Sequence, residues 1–132
     1  MDLTKGVNVA SIVQLVDGVV ANRFEIADTG LKFGRIATNR IIIDDKAVSS
    51  EHAAISLLKG EHGDIQYVLN DLGSTNGTYV NEQKIDKQLL HHKDVVRVGW
   101  NSFTFINEDE VDLEKTTKVK KSWIPGVYFS DD

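Results

Sequence analysis

Residues 71–81 read Asp71-Leu72-Gly73-Ser74-Thr75-Asn76-Gly77-Thr78-Tyr79-Val80-Asn81, a polar loop with two glycines that runs straight into a β-branched and aromatic stretch. The glycines permit backbone conformations that present N–H groups outward, and the hydroxyls and amide around them are uncharged hydrogen-bonding groups. Thr78-Tyr79-Val80 has the composition of a short strand. Working outward, the same rhythm fills the chain. Apolar or alternating runs occur at residues 7–16, 24–27, 31–33, 41–43, 53–58, 65–69, 95–98 and 103–106. Turn signals separate them, at Asp17-Gly18, Thr29-Gly30, Asp44-Asp45, Gly60 to Gly63 and Gly99. Strands spaced roughly eight to twelve residues apart, with no amphipathic helix between them, predict an all-β sandwich or barrel of mostly antiparallel strands. Binding residues of such a fold are expected on loops at one end.

The chain has 132 residues, enough for one hydrophobic core, and its 41% hydrophobic and 27% charged content is that of a globular domain. Cysteine is absent, which excludes disulfides, thiol nucleophiles and thiolate metal sites. No stretch of apolar residues is long enough for a membrane span, and the N-terminus lacks a signal-peptide core, so the expected location is cytoplasmic, away from membranes. The formal net charge is -5, from 15 Lys/Arg and 20 Asp/Glu. Residues 1–106 carry 11 basic and 13 acidic side chains, and residues 107–132 carry 4 and 7. That balance excludes a general nucleic-acid binder, which needs surplus positive charge facing phosphates. The charge step also suggests a division. Residues 1–106 form the domain, and 107–132 form a polar extension or linker, with an apolar end around Trp123, Pro125 and Phe129.

Three loops carry the unusual chemistry: Gly34-Arg35, then Val48-Ser49-Ser50-Glu51-His52, then Asp71 to Thr78. One guanidinium, several hydroxyls and exposed backbone N–H groups suit a tetrahedral oxyanion. An asparagine, with a donor and an acceptor on one amide, can fix the register of a bound peptide.

The order and spacing of these blocks, GRxxxN, SxxH and DxGSTNGTxVN, resemble the forkhead-associated (FHA) domain family. The matching residues are Gly34, Arg35, Asn39, Ser49, His52, Asp71, Gly73 to Thr78, Val80 and Asn81, and the resemblance covers about residues 7–106. It implies an eleven-stranded β-sandwich that recognises phosphothreonine in partner proteins, downstream of Ser/Thr protein kinases. Carried onto this chain, Arg35 would contact the phosphate with Ser49 beside it. Thr75 would contact the phosphothreonine and Asn76 the ligand main chain. Gly34, His52 and Gly77 would structure the loops. Ser50 stands where the family commonly has Arg, Lys or Asn, so it supplies a hydrogen bond without a charge, and Arg40 and Lys46 are the cations nearest in sequence.

Other readings of the same residues are weaker. Ser49 or Ser50 with His52 and Asp71 has the composition of a hydrolase triad, but the strand–turn–helix context of a nucleophile is missing, and no enzyme is expected. Residues 73–78 are not a P-loop, since no Gly-Lys-Ser/Thr follows. His91 and His92 are adjacent, so on a strand they would point to opposite faces and not share a metal. His62 reads as a solvated turn residue. No cofactor or metal is implied. A structural sandwich without phosphopeptide binding is the alternative function. Thr116 and Thr117, in the polar extension, are expected as a possible intramolecular ligand once phosphorylated.

Overall fold

The structure is a computed structural model that describes residues 10–61 and 63–108. His62, Thr116, Thr117 and the apolar segment 123–129 lie outside the described residues. Eleven strands follow one another: β1 (Ser11–Val16), β2 (Val19–Glu25), β3 (Leu31–Gly34), β4 (Ile41–Ile42), β5 (Ala53–Lys59), β6 (Ile65–Asp71), β7 (Thr78–Val80), β8 (Gln83–Ile85), β9 (Lys87–Leu89), β10 (Val95–Val98) and β11 (Asn101–Ile106). They form a six-stranded sheet in the order β2-β1-β11-β10-β7-β8 and a five-stranded sheet in the order β4-β3-β5-β6-β9. The fold is therefore an all-β sandwich. Every strand pair is antiparallel except β3 with β4. Among the described residues no helix is long and apolar enough to cross a membrane.

The core follows from the period-two pattern. In β11, Phe103 and Phe105 are buried while Ser102 is exposed and Thr104 only partly covered. Phe33 of β3 meets Phe103 edge-on across the sheets, with ring centroids 5.3 Å apart and planes at 67°. Tyr67 of β6 meets Phe105 in a tilted arrangement, with centroids 5.3 Å apart and planes at 55°. These pairs join one sheet to the other, and Ile12, Ile55, Leu69, Val96 and Val98 fill the space around them. Burying each such side chain contributes about 1.5–3 kcal/mol relative to exposure.

Three departures from the sequence pattern have physical reasons. β2 begins at Val19, five residues before the expected start, because Asp17 and Gly18 take φ of 54° and 79° in a tight hairpin turn. That hairpin carries β2 back along β1, with a register shift beyond Gln14. β8 and β9 were not expected, since Gln83-Lys84-Ile85 and Lys87-Gln88-Leu89 are short, mostly exposed and polar. Only Asp86 separates them, yet β8 is the edge of one sheet and β9 the edge of the other. The chain crosses between sheets at that residue. The hairpin joining β7 to β8 turns on Asn81 and Glu82, with φ of 49° and 67°. Asn81 is suited to that conformation, and its amide also donates to Asp94 Oδ1 and accepts from Val95 N–H, both at 3.0 Å.

Truncating the inter-sheet aromatic contact tests this core. Phe33→Ala and Phe103→Ala are each expected to destabilise the domain by about 3–5 kcal/mol. Denaturant unfolding monitored by far-UV circular dichroism measures the loss.

Candidate functional site

The loop between β3 and β4 begins where β3 ends, at Gly34. A Cβ there would overlap the Ser50 carbonyl oxygen and the side-chain amide of Asn39. The glycine is required by this close approach, not by an unusual φ. Asn39, buried at 4% exposure, donates from Nδ2 to Ser50 O at 2.7 Å and to Ile36 O at 2.8 Å. It ties the β3–β4 loop to the β4–β5 loop. The Arg35 backbone N–H adds a bond to Ser49 O at 3.0 Å.

The exposed Arg35 side chain donates from Nε to Val48 O at 3.0 Å. This bond fixes the plane of the guanidinium, and the described residues give its two terminal nitrogens no partner. Ser49 Oγ accepts the backbone N–H of Thr75 at 3.0 Å. Because that oxygen is the acceptor, the Ser49 hydroxyl proton remains to be donated elsewhere. Asn76 donates from Nδ2 to Ala47 O at 2.8 Å, which leaves its carbonyl oxygen and its second N–H. Ser50 and Thr75 are exposed, and no described residue bonds either hydroxyl. Arg35, Ser49, Ser50, Thr75 and Asn76 thus stand on three loops that hydrogen-bond to one another at one end of the sandwich. Arg40 does not join them. Its guanidinium lies over the Phe24 ring, 5.2 Å from the centroid, on the side of the sandwich.

His52 is fully buried beneath these loops. Its Nδ1 accepts the Ser49 N–H at 3.0 Å, so Nε2 carries the proton and donates to Gly77 O at 2.8 Å. Both nitrogens serve backbone groups of different loops, and neither faces a serine hydroxyl. Gly77 has φ of 87°, and its N–H donates to Ser74 Oγ at 2.9 Å.

Asp71, Ser74 and Thr78 form a cluster that the reading for ligand contacts passed over. Asp71 Oδ1 accepts both hydroxyls, from Ser74 at 2.5 Å and from Thr78 at 2.7 Å. Its Oδ2 accepts the backbone N–H of Gly73 and of Ser74, both at 3.1 Å. The signal was the Asp-x-x-Ser spacing of a side chain that caps its own turn. Asp71 is therefore not partnered with His52, and the triad geometry is absent. Burial is the largest single influence on Asp71 and raises its pKa. The four hydrogen bonds together outweigh burial, and the group titrates below its ordinary value of 3.8. His92 Nδ1 accepts the Asn107 N–H at 2.9 Å.

A two-sheet sandwich holding three cross-linked loops around an exposed arginine and free hydroxyls defines a loop-presenting binding domain. The family model for the FHA domain matches residues 31–99, more than half of the chain, and the protein belongs to that family. Among curated relatives, the glycogen accumulation regulator GarA of Mycolicibacterium smegmatis is 35% identical over 91 residues, covering 69% of this chain and 54% of that protein. The chain thus spans about half the length of that relative. A solved FHA domain studied for phosphothreonine-dependent interactions superposes with a TM-score of 0.64 at 27% identity, covering 76% of this chain and 97% of that one. EmbR of Mycobacterium tuberculosis, solved with a low-affinity phosphopeptide, gives a TM-score of 0.63 at 29% identity, over 74% of this chain and 24% of that one.

Asp71 sets a pH test. Its folded-state pKa is lower than its unfolded value, so ionisation favours the fold. The stabilisation is complete above 3.8 and disappears as pH falls through the lower folded value. Asp71→Asn is expected to be less stable than wild type at neutral pH and to lose less stability on acidification below about pH 4. Urea unfolding at a series of pH values measures the difference, and parallel curves would contradict the assignment.

Proposed function

We propose that this chain is a phosphothreonine-dependent protein-interaction module acting in Ser/Thr kinase signalling in the cytoplasm. Residues 1–106 are the binding unit and 107–132 the extension, and the module is not an enzyme. The observation that carries the reading is the set of unspent donors on cross-linked loops. In this reading the two terminal nitrogens of Arg35 and the hydroxyls of Ser49, Ser50 and Thr75 are the donors available to a phosphate of about -1.5 to -2 charge. In this reading Arg35 makes a charge-assisted, forked contact, Ser49 and Ser50 donate to the remaining oxygens, and Thr75 contacts the phosphothreonine. The free carbonyl and N–H of Asn76 bond the ligand main chain. Gly34, His52 and Gly77 hold the loops in place. The phosphopeptide on EmbR and the name of GarA as a regulator support the reading of the module as a phosphopeptide-dependent regulator, apart from the roles of single residues.

One arginine with neutral donors gives reversible, micromolar binding. A charged hydrogen bond contributes about 1.5–3 kcal/mol, a factor of roughly 10 to 150 in affinity. Arg35→Ala is expected to weaken phosphothreonine-peptide binding by that factor while leaving the thermal midpoint nearly unchanged, because Arg35 is exposed. Calorimetric titration of wild type and variant against a phosphothreonine peptide library and its unphosphorylated counterpart makes the measurement. Equal binding of both libraries would instead favour a structural sandwich without phosphate recognition.

A further inference from the structure

The crossing at Asp86 links β8 to β9 at one margin of the two sheets. At the other margin the edges are β2 and β4, and a cavity of about 400 Å³ opens between the sheets there. Ile41 and Ile43 line it from β4 and the residue beyond, Gln14, Asn22 and Phe24 from β1 and β2, and Phe103 from β11. The period-two pattern makes this lining unusual. On the core side β1 carries Ile12 and then Gln14, β2 carries Phe24 and then Asn22, and β11 carries Phe105, Phe103 and then Asn101. The pairing agrees, with Ile12 opposite both Phe24 and Phe105, and Gln14 opposite both Asn22 and Phe103. Three neighbouring strands thus change from apolar side chains to amides where they reach the cavity, and Asn101 lines it as well. Apolar residues at these places would bury more apolar surface, so stability does not account for the amides.

Asn22 Nδ2 donates to Gln14 Oε1 at 2.9 Å. This bond orients the pair. Among the described residues it leaves the Gln14 amide N–H groups, the Asn22 carbonyl oxygen and the whole Asn101 side chain without a partner. Two exposed charges of opposite sign complete the lining, Arg40 immediately before β4 and Asp44 two residues beyond it. The Arg40 guanidinium lies over the Phe24 ring, 5.2 Å from its centroid. Stacking of this kind holds the plane of the fork while its N–H edges stay available. No ion pair joins Arg40 to Asp44 among the described residues. Four residues of chain separate them, a span of up to about 13 Å when extended. The cavity therefore offers a cation, an anion set apart from it, and three amides that each combine donor and acceptor.

We propose that this cavity is a second binding site, separate from the loop end, for a small linear zwitterion of dipeptide size. The carboxylate of the ligand pairs with the Arg40 fork, and its ammonium pairs with Asp44. The peptide group between them has one N–H and one C=O, which the amides of Gln14, Asn22 and Asn101 complement. A simple anion would satisfy Arg40 alone and bring like charge towards Asp44, and a simple cation would do the converse. Ile41, Ile43 and Phe103 offer no side-chain hydrogen bond, so the polar contacts fall to the amides and the two charges. A volume of about 400 Å³ is that of a small-molecule site. Arg35, Ser49 and Thr75 do not line the cavity, and the inference goes beyond the phosphothreonine reading without depending on it.

The test titrates the full chain, labelled with nitrogen-15, with the dipeptide alanyl-alanine and follows side-chain amide signals by NMR. The signals of Gln14, Asn22 and Asn101 and the Arg40 Nε–H are expected to shift together and to saturate in the millimolar range or below. Arg40→Ala and Asp44→Asn are each expected to weaken binding about tenfold, as loss of one charged hydrogen bond implies. Both side chains are exposed, so each variant is expected to keep the wild-type backbone spectrum. Gln14→Met preserves the length of the side chain and removes its amide, and it is expected to weaken binding in the same direction. Arg35→Ala is expected to bind the dipeptide as wild type does, which separates this site from the phosphate site. N-acetylated and C-amidated alanyl-alanine are each expected to bind at least tenfold more weakly. Absence of saturable shifts overturns the proposal, as does equal binding of the blocked dipeptides. Equal or tighter binding of acetate or of adenosine monophosphate overturns the ligand class. Shifts confined to Arg35, Ser49 and Thr75 place the dipeptide at the loop end and overturn the second site, with the phosphothreonine reading left to its own test.

Discussion

His52 accepts a hydrogen bond from the Ser49 backbone and donates one to the Gly77 carbonyl, and it does so with no exposure to water. One neutral ring thereby fixes the distance between the β4–β5 and β6–β7 loops. The arrangement also satisfies two backbone groups that would otherwise be buried without a partner, a condition costing about 1–3 kcal/mol for each. No smaller side chain reaches both, and no carboxylate or amine combines one acceptor and one donor at opposite ends of a rigid ring. Everything closer to solvent is referenced to this bridge. Ser49 Oγ meets Thr75 N–H because Ser49 and Gly77 are already held.

The bonds that build the loop end use one side of each polar group and leave the other. Arg35 spends Nε and keeps both terminal nitrogens, Ser49 accepts and keeps its proton, and Asn76 spends one N–H. Folding therefore orders these groups in the free domain, and a ligand that used them would need little further ordering. The Asp71 cluster belongs to the same economy of design at one remove. It satisfies four donors of the β6–β7 loop with one carboxylate, so that loop stays rigid while facing solvent.

Much of this was legible in the sequence. The alternation around Phe103 and Phe105 marked a half-buried strand, and the three loop blocks at their intervals marked where polar chemistry collects. Asp17-Gly18 announced its hairpin. What escaped reading was governed by partners far along the chain. β8 and β9 have no apolar face to detect, because three-residue edge strands are held by their neighbours and not by their own burial. Arg40 looked available to the loops by sequence distance, yet the β2–β1 hairpin sets Phe24 beneath it. Asn39 stood in the motif without a stated role, since its importance lies in two carbonyls that only the folded loops bring into reach.

The crossing of the chain at Asp86 has a further effect on how the domain meets other proteins. Edge strands invite foreign strands to add by main-chain pairing. Here β8 and β9 are each three residues long and lysine-bearing, and β4 has only two residues. β2, the one long edge, has its ladder interrupted beside Leu15. Three of the four sheet margins are too short, and the fourth too irregular, to act as a template. Sequence-blind recognition through the backbone is thereby closed off, and what remains open to a visiting chain is the loop end, where side chains decide.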